Sequence, residues 1–163
     1  MDRFGFLIGT MKNTVDKSIP IILPVVLFFL FSYASAQQKQ NEPKDAKFYV
    51  DRGIAYGEKG QLDQAVDDFT KALEIDAKST DAYYNRGIAY VYKGQYDWAV
   101  DDLNKVLEID LKNGGAYYYR AIAYYFKKRY DESWKDIKKA EGLGYKIDPK
   151  FLENLRKASG RQN

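Results

Sequence analysis

The sequence contains no cysteine and no histidine among its 163 residues. These absences exclude disulfides, thiol chemistry, a histidine general base, a histidine-bearing triad and a thiolate or imidazole zinc site. Lysine plus arginine (26) nearly balances aspartate plus glutamate (23), so the overall charge does not favour nucleic acid. Residues 57–60 (GEKG) lack the spacing and the Ser/Thr of a phosphate-binding loop. We predict no catalytic residues, no metal, no cofactor and no nucleic-acid partner.

An apolar run without charges occupies residues 19–31 (IPIILPVVLFFLF), and the small triplet Ala34-Ser35-Ala36 follows it. This order is typical of a secretory signal, and the run is shorter than the roughly 20 residues of a membrane span. We predict a signal peptide over residues 1–36, cleavage after Ala36 and an exported protein, periplasmic or secreted. The alternative is an uncleaved membrane anchor. A start at Met11 rather than Met1 would give a more conventional signal, and polar residues 37–47 are expected to form a flexible linker.

The rest of the sequence repeats itself with a period of 34 residues. Residues 52–78 and 86–112 are identical at 19 of 27 aligned positions, and a more diverged third copy follows at the same offset. Within each copy, apolar residues recur at helical spacing on two segments joined by a short turn. Such a period predicts an array of helical hairpins that bury their apolar faces against one another.

Six positions of the repeat share a pattern of aromatic, small and apolar residues. They are Tyr49, Gly53, Tyr56, Ala65, Phe69 and Ala72 in the first copy, Tyr83, Gly87, Tyr90, Ala99, Leu103 and Val106 in the second, and Tyr117, Ala121, Tyr124, Ser133, Ile137 and Ala140 in the third. The pattern resembles the tetratricopeptide repeat (TPR). The resemblance implies an all-α fold, a right-handed solenoid of three hairpins over residues 48–147, with repeats at about 46–79, 80–113 and 114–147.

A terminal helix is predicted from separate signals. Asp148 and Pro149 place an N-cap before a proline at the first helical position, and apolar Phe151, Leu152 and Leu155 share one face. A solenoid needs a last element that is apolar inside and polar outside. We therefore predict a capping helix over residues 148–159, followed by a short tail at 160–163.

Charged residues also recur with the repeat. One position holds Arg52, Arg86 and Arg120, for which we predict a structural interaction with a carboxylate of an adjoining helix. Adjacent acids occur at residues 67–68 and 101–102. Neighbouring residues on a helix point about 100° apart, so neither acidic pair converges on a substrate or a cation. We interpret these acids as a solvated face.

The resemblance also implies where a partner would bind. In TPR arrays the first helix of each hairpin lines a concave face that commonly receives a peptide or a helix. Here the corresponding positions grade from polar in the first repeat to aromatic in the third, and rigid aromatic side chains supply large contact area at low entropic cost. The predicted partner-binding residues are Tyr84, Asn85, Ile88, Tyr92, Tyr118, Tyr119, Ile122, Tyr125 and Phe126.

Some TPR domains hold a C-terminal dicarboxylate in a clamp of Lys, Asn, Asn, Lys and Arg. The matching positions here are Val50, Ile54, Asn85, Gly115 and Tyr119, and only the asparagine fits. We therefore predict a protein or peptide partner other than a chaperone tail.

Alternatives to partner binding on this face stay open. Some of its tyrosines could pack against the capping helix or one another. Residues 49–110 carry 7 basic and 13 acidic side chains, whereas residues 111–163 carry 13 basic and 6 acidic ones. Two ends of opposite charge suggest a head-to-tail homo-oligomer, and a self-associating or membrane-tethered structural scaffold is the alternative function. Contact with a membrane is expected only if the N-terminal segment stays uncleaved.

Overall fold

The computed structural model describes residues 27–32 and 45–161. The chain divides into two units, Met1–Pro43 and Lys44–Asn163. In the first unit, residues 27–32 are helical with exposed apolar side chains. The predicted cleavage site after Ala36 and most of the predicted signal peptide lie outside the described residues. None of the helices in the described ranges combines the length and apolarity needed to cross a bilayer.

Residues 45–161 form seven helices, named α1 to α7 in chain order. They are Ala46–Glu58 (α1), Leu62–Ile75 (α2), Thr80–Tyr92 (α3), Tyr96–Ile109 (α4), Gly114–Phe126 (α5), Tyr130–Gly142 (α6) and Pro149–Ser159 (α7). Consecutive helices pair as α1 with α2, α3 with α4 and α5 with α6, and each hairpin packs against the next. The structure confirms the predicted array of helical hairpins, and α7 packs against α6 at its end.

The starts of the helices follow from local sequence signals. Asp45, Ser79 and Asn113 each accept a hydrogen bond from a backbone N–H in the first turn of α1, α3 and α5. The turn inside each hairpin needs a residue with positive φ, supplied by Gly60 (72°) and Gly94 (73°). Lys128 takes this conformation in the third hairpin with a φ of 58°, at a cost of about 1 kcal/mol for a residue with a side chain.

Small residues bring the two helices of each hairpin together. A Cβ on Gly53 would lie 2.6 Å from Phe69 Cε1, and one on Gly87 would lie 2.9 Å from Leu103 Cγ. In the third hairpin Ser133 Oγ donates a hydrogen bond to the carbonyl oxygen at position 121, at 2.8 Å. The repeated small residues are therefore required by the close approach of neighbouring helices.

The largest group of buried side chains lies in the second half of the array. Leu103, Val106, Ile137 and Leu155, from α4, α6 and α7, are fully buried together. Because Leu155 belongs to α7, the terminal helix contributes to this core and does not merely cover it. A smaller cluster around Phe69 joins the first hairpin to α3.

Candidate functional site

The candidate site is the surface formed by the first helices of the hairpins, α1, α3 and α5, and is called here the first-helix face. Helix α3 packs against both α1 and α5. On each helix we take the second residue and the residues four, seven and eleven positions after it, because residues at this spacing share one side of a helix. These residues are Lys47, Asp51, Ile54 and Glu58 on α1, Asp81, Asn85, Ile88 and Tyr92 on α3, and Gly115, Tyr119, Ile122 and Phe126 on α5.

The first-helix face has an open cleft between α1 and α3. Its volume is about 170 Å³, and its lining is mainly apolar. The lining residues are Gly53, Ile54, Gly57, Leu62, Ala65, Phe69, Asn85, Ile88, Ala89 and Tyr92. Tyr92 is 68% exposed at the edge of the cleft, and Ile54 is 38% exposed. This part of the face presents apolar surface that the described residues leave uncovered.

The aromatic residues of α5 are arranged differently, because the C-terminal segment lies over them. The ring of Tyr118 has its centroid 5.3 Å from that of Tyr145 and 5.8 Å from that of Phe151. The ring of Tyr125 is 5.5 Å from Phe151. Packing against the terminal segment, the alternative left open by the sequence, therefore applies to Tyr118 and Tyr125. Whether these two residues also contact a partner stays a prediction.

Tyr84 and Tyr119 connect the open and covered parts. Their rings meet edge to face with centroids 6.1 Å apart, and both side chains are half-buried. Burial raises the pKa of Tyr84 to about 12, and burial together with the neighbouring Tyr92 raises the pKa of Tyr119. Both phenols therefore stay neutral at physiological pH. Gly115 leaves room for the hydroxyl of Tyr84, which a Cβ at that position would meet.

The remaining predicted binding residues lie toward the far edge of the face. Phe126 is 53% exposed, and its ring stacks on Tyr96 with centroids 4.9 Å apart and an interplanar angle of 4°. Ile122 is half-buried against the cluster that contains Tyr90 and Ala123. Phe126 therefore offers a flat aromatic surface, whereas Ile122 contributes mainly to packing.

The recurring arginines lie away from the cleft and bind carboxylates inside each hairpin, as the sequence predicted. Arg86 donates from Nε and Nη2 to both oxygens of Asp102, at 2.7 and 2.9 Å, and from Nη1 to Thr70 Oγ1 of the preceding hairpin at 3.0 Å. Arg120 repeats this arrangement with Asp136 and Asn104. Each of these two arginines thus links two hairpins through a bidentate ion pair and a further hydrogen bond, which supports a structural role.

The interpretation of the acidic pairs as a solvated face was wrong for one member of each. Asp68 and Asp102 are buried, at 3% and 6% exposure, because each accepts the bidentate contact of an arginine 16 residues earlier. Asp67 and Asp101 are both exposed, as expected. The 16-residue separation of arginine and aspartate, constant in all three repeats, was the available signal.

A second set of ion pairs, which the sequence reasoning missed, joins successive repeats. Lys93 pairs with Asp63, Lys127 pairs with Asp97, and Arg161 donates to Asp131 at 2.6 Å. All three pairs are 30 residues apart, so Arg161 occupies the repeat position of Lys93 and Lys127. Helix α7 is therefore in the register of the first helix of a fourth repeat. The 34-residue offset of Arg161 from Lys127 could have revealed this.

The described residues of the site offer apolar and aromatic surface. Among the described residues, no three acidic side chains converge as a cation site would require. At the positions of the dicarboxylate clamp, Val50 and Gly115 are buried and Tyr119 is neutral, so no cation faces a ligand from them.

Comparisons with known proteins agree with the geometry. A tetratricopeptide repeat family model matches residues 80–113, and a TPR repeat model matches residues 53–93. Paired helices with close-packed small residues define a helical-repeat protein. Residues 53–113 therefore contain tetratricopeptide repeats. No curated protein sequence matches it.

Solved structures with the same fold include two TPR domains and a bacterial protein. The first TPR of Spaghetti (RPAP3), bound to an HSP90 peptide SRMEEVD, is 24% identical with a TM-score of 0.65, covering 73% of this chain and 94% of that one. The first TPR domain of human RPAP3 is 25% identical with a TM-score of 0.63, covering 71% and 90%. MamA from Desulfovibrio magneticus RS-1 is 22% identical with a TM-score of 0.61, covering 74% and 73%.

Proposed function

We propose that this chain is a protein-interaction module that binds a peptide or helical segment of a partner on the first-helix face. The observation that carries the proposal is the uncovered apolar cleft between α1 and α3, with exposed Tyr92 at its edge. An exposed aromatic beside an apolar pocket is the arrangement that concentrates binding energy in protein interfaces. The RPAP3 domain of the same fold holds a bound peptide, which supports this assignment.

Within the predicted site, the residues divide into two roles. Asn85, Ile88 and Tyr92 lie at the open cleft, and Phe126 extends the aromatic surface beyond it. The more buried aromatics hold this surface in shape, and they are Tyr84, Tyr118, Tyr119 and Tyr125. Truncating a residue of the first group should lower the affinity for the partner, whereas truncating one of the second group should also alter folding.

The experiment that tests the proposal compares Tyr92→Ala with Trp98→Ala. Both rings are mostly exposed, at 68% and 58%, but Trp98 lies beside Arg86 and Asp101, away from the cleft. The partner captured from native extract is identified by mass spectrometry and then rebound in purified form. We expect Tyr92→Ala to weaken its binding about tenfold or more and Trp98→Ala to leave it unchanged, as for a residue central to an interface. Equal binding by both variants would contradict the proposal.

We also propose that the protein is exported and cleaved after Ala36. The support is the apolar run at residues 19–31 followed by Ala34-Ser35-Ala36. N-terminal sequencing of the protein from its native source should then read from Gln37. A chain that begins earlier would instead favour the membrane-anchored alternative.

Self-association is the second candidate, favoured by the basic surface near the end of the chain. Lys135, Lys138 and Lys139 surround exposed Leu143 on α6 and the turn after it. The opposite end of the array is acidic by sequence, so two copies would attract head to tail at low salt. Light scattering should then show a mass that falls as salt is added. A monomer at high concentration and low salt would dispose of this candidate.

A further inference from the structure

The size of the cleft between α1 and α3 limits what can enter it. Pockets for small molecules usually measure about 300–1,000 Å³, whereas this cleft measures about 170 Å³. Ile54, Phe69 and Ile88 give it an apolar lining. The cleft therefore suits a single aliphatic side chain, presented by a longer segment that lies across the face.

Gly57 keeps the cleft open. It lies in the last turn of α1, where glycine costs the helix about 1 kcal/mol relative to alanine. A Cβ at Gly57 would meet no atom within 4 Å, unlike one at Gly53, which Phe69 crowds. The packing of the fold therefore does not require glycine at position 57, and a side chain placed there would enter the cleft.

The sides of α1 and α3 that border the cleft, called here its rim, carry mainly acidic charged residues. Asp51 and Glu58 share the side of α1 that carries Ile54, and Asp81 shares the side of α3 that carries Ile88. Lys47 pairs with Asp51 at 2.7 Å. Within the described part of the chain, Glu58 and Asp81 form no ion pair. On these two helix sides three carboxylates stand against one ammonium group, which favours a cationic ligand.

We propose that this cleft binds one aliphatic side chain of a partner segment whose neighbouring residues are lysine or arginine. The inference rests on the proposed function and adds the chemistry of the partner. A cationic segment would also differ in charge from the ligand of the RPAP3 domain of the same fold, because three of the last four residues of its peptide SRMEEVD are acidic.

Three labelled peptides test the inference by fluorescence anisotropy with the full chain. One has a central leucine between lysines, the second has the same leucine between glutamates, and the third has alanine between lysines. We expect the first peptide to bind at least tenfold more tightly than the other two, with an affinity that falls as salt rises. Equal binding of the glutamate peptide, or no measurable binding of the first peptide, would overturn the proposal.

Gly57→Leu and Gly142→Leu form a matched pair for the cleft itself. Both glycines are helical, and a Cβ on either would contact nothing within 4 Å, but only Gly57 lines the cleft. Leucine is a better helix former than glycine, so neither variant should lower the melting temperature. Gly57→Leu should weaken the lysine-flanked leucine peptide about tenfold, whereas Gly142→Leu should not. An unchanged affinity in Gly57→Leu would contradict the assignment.

The rim is tested by reversing its charge. Glu58→Lys combined with Asp81→Lys should shift preference toward the glutamate-flanked peptide. Asp67→Lys combined with Asp101→Lys changes two acids on second helices, away from the rim, and should leave the preference unchanged. Capture of the native partner separates the two proposals. If it survives Gly57→Leu but is lost in Tyr92→Ala, the cleft inference fails and the proposed function stands; if it survives both, both fail.

Discussion

The first-helix face has an open half between α1 and α3 and a covered half on α5. Between α1 and α3, Ile54, Ile88 and Tyr92 border a cleft that the described residues leave accessible. On α5, Tyr118 and Tyr125 are covered by Tyr145 and Phe151 from the end of the chain. The two halves differ because the segment after the last hairpin folds over Tyr118 and Tyr125, which occupy the repeat positions of Tyr84 and Val91, whereas Phe126, at the repeat position of Tyr92, stays 53% exposed.

The difference arises because α7 takes the place of a further repeat. Arg161 pairs with Asp131 as Lys93 pairs with Asp63, so α7 continues the stacking by one helix. This helix brings Phe151 onto the aromatic residues of α5. The richest aromatic region in the sequence thus supports the end of the array, and the accessible apolar cleft lies nearer its start.

Truncation of Leu155, which anchors α7, should have the largest effect and should remove the difference between the open and covered halves. Leu155 is fully buried, so Leu155→Ala should lower the free energy of unfolding by about 2–5 kcal/mol. Trp134 Nε1 donates to Ser159 Oγ at 3.0 Å and therefore reports docking of α7. In a Trp98→Phe background, we expect red-shifted emission from Trp134 in this variant, with Tyr118 and Tyr125 more accessible to solvent.

Leu143→Ala is the control for this change. Leu143 is 41% exposed in the turn after α6, so its truncation should change stability by about 0.5 kcal/mol or less. Urea unfolding followed by circular dichroism and by tryptophan emission measures both variants. Similar small losses from Leu155→Ala and Leu143→Ala, with unchanged emission, would show that α7 does not hold the covered half in place.

Alanine substitutions of two glycines on the face should change stability in opposite directions, one in the open half and one beside the covered half. Alanine at Gly57 meets open space and gains helix stability, so Gly57→Ala should stabilise the protein by about 0.5–1 kcal/mol. Alanine at position 115 would meet the Tyr84 side chain, and such overpacking costs about 1–3 kcal/mol. The higher helix propensity of alanine offsets up to about 1 kcal/mol of this cost. Gly115→Ala should therefore destabilise the protein by about 1 kcal/mol in urea unfolding. A stabilising Gly115→Ala would mean that the covered half is loosely packed.

The repeat architecture could be predicted from the sequence alone, because the period and the small residues are visible over short stretches of chain. Gly53 against Phe69 and Arg86 against Asp102 each recur at fixed separations, and fixed separations can be recognised in a single sequence. The coverage of α5 could not be predicted in the same way. It depends on Tyr145 and Phe151, which reach Tyr118 only through the path of the turn after α6.

The smallest expected effect concerns Tyr84, at the boundary between the two halves. Burial raises its pKa to about 12, above the value of about 10 for an unfolded chain. As pH rises past about 10, the unfolded chain loses this proton first, so stability is fully present below that pH and declines toward pH 12. Tyr84→Phe removes the titration, so the melting temperature of the variant should fall slightly less than that of the wild type between about pH 9 and about pH 11. The difference in tyrosinate absorbance between the two proteins should show a phenol that ionises later in the folded protein than in guanidinium. Ionisation at the same pH in both conditions would mean that Tyr84 is exposed to solvent and that the open half extends to the contact between α3 and α5.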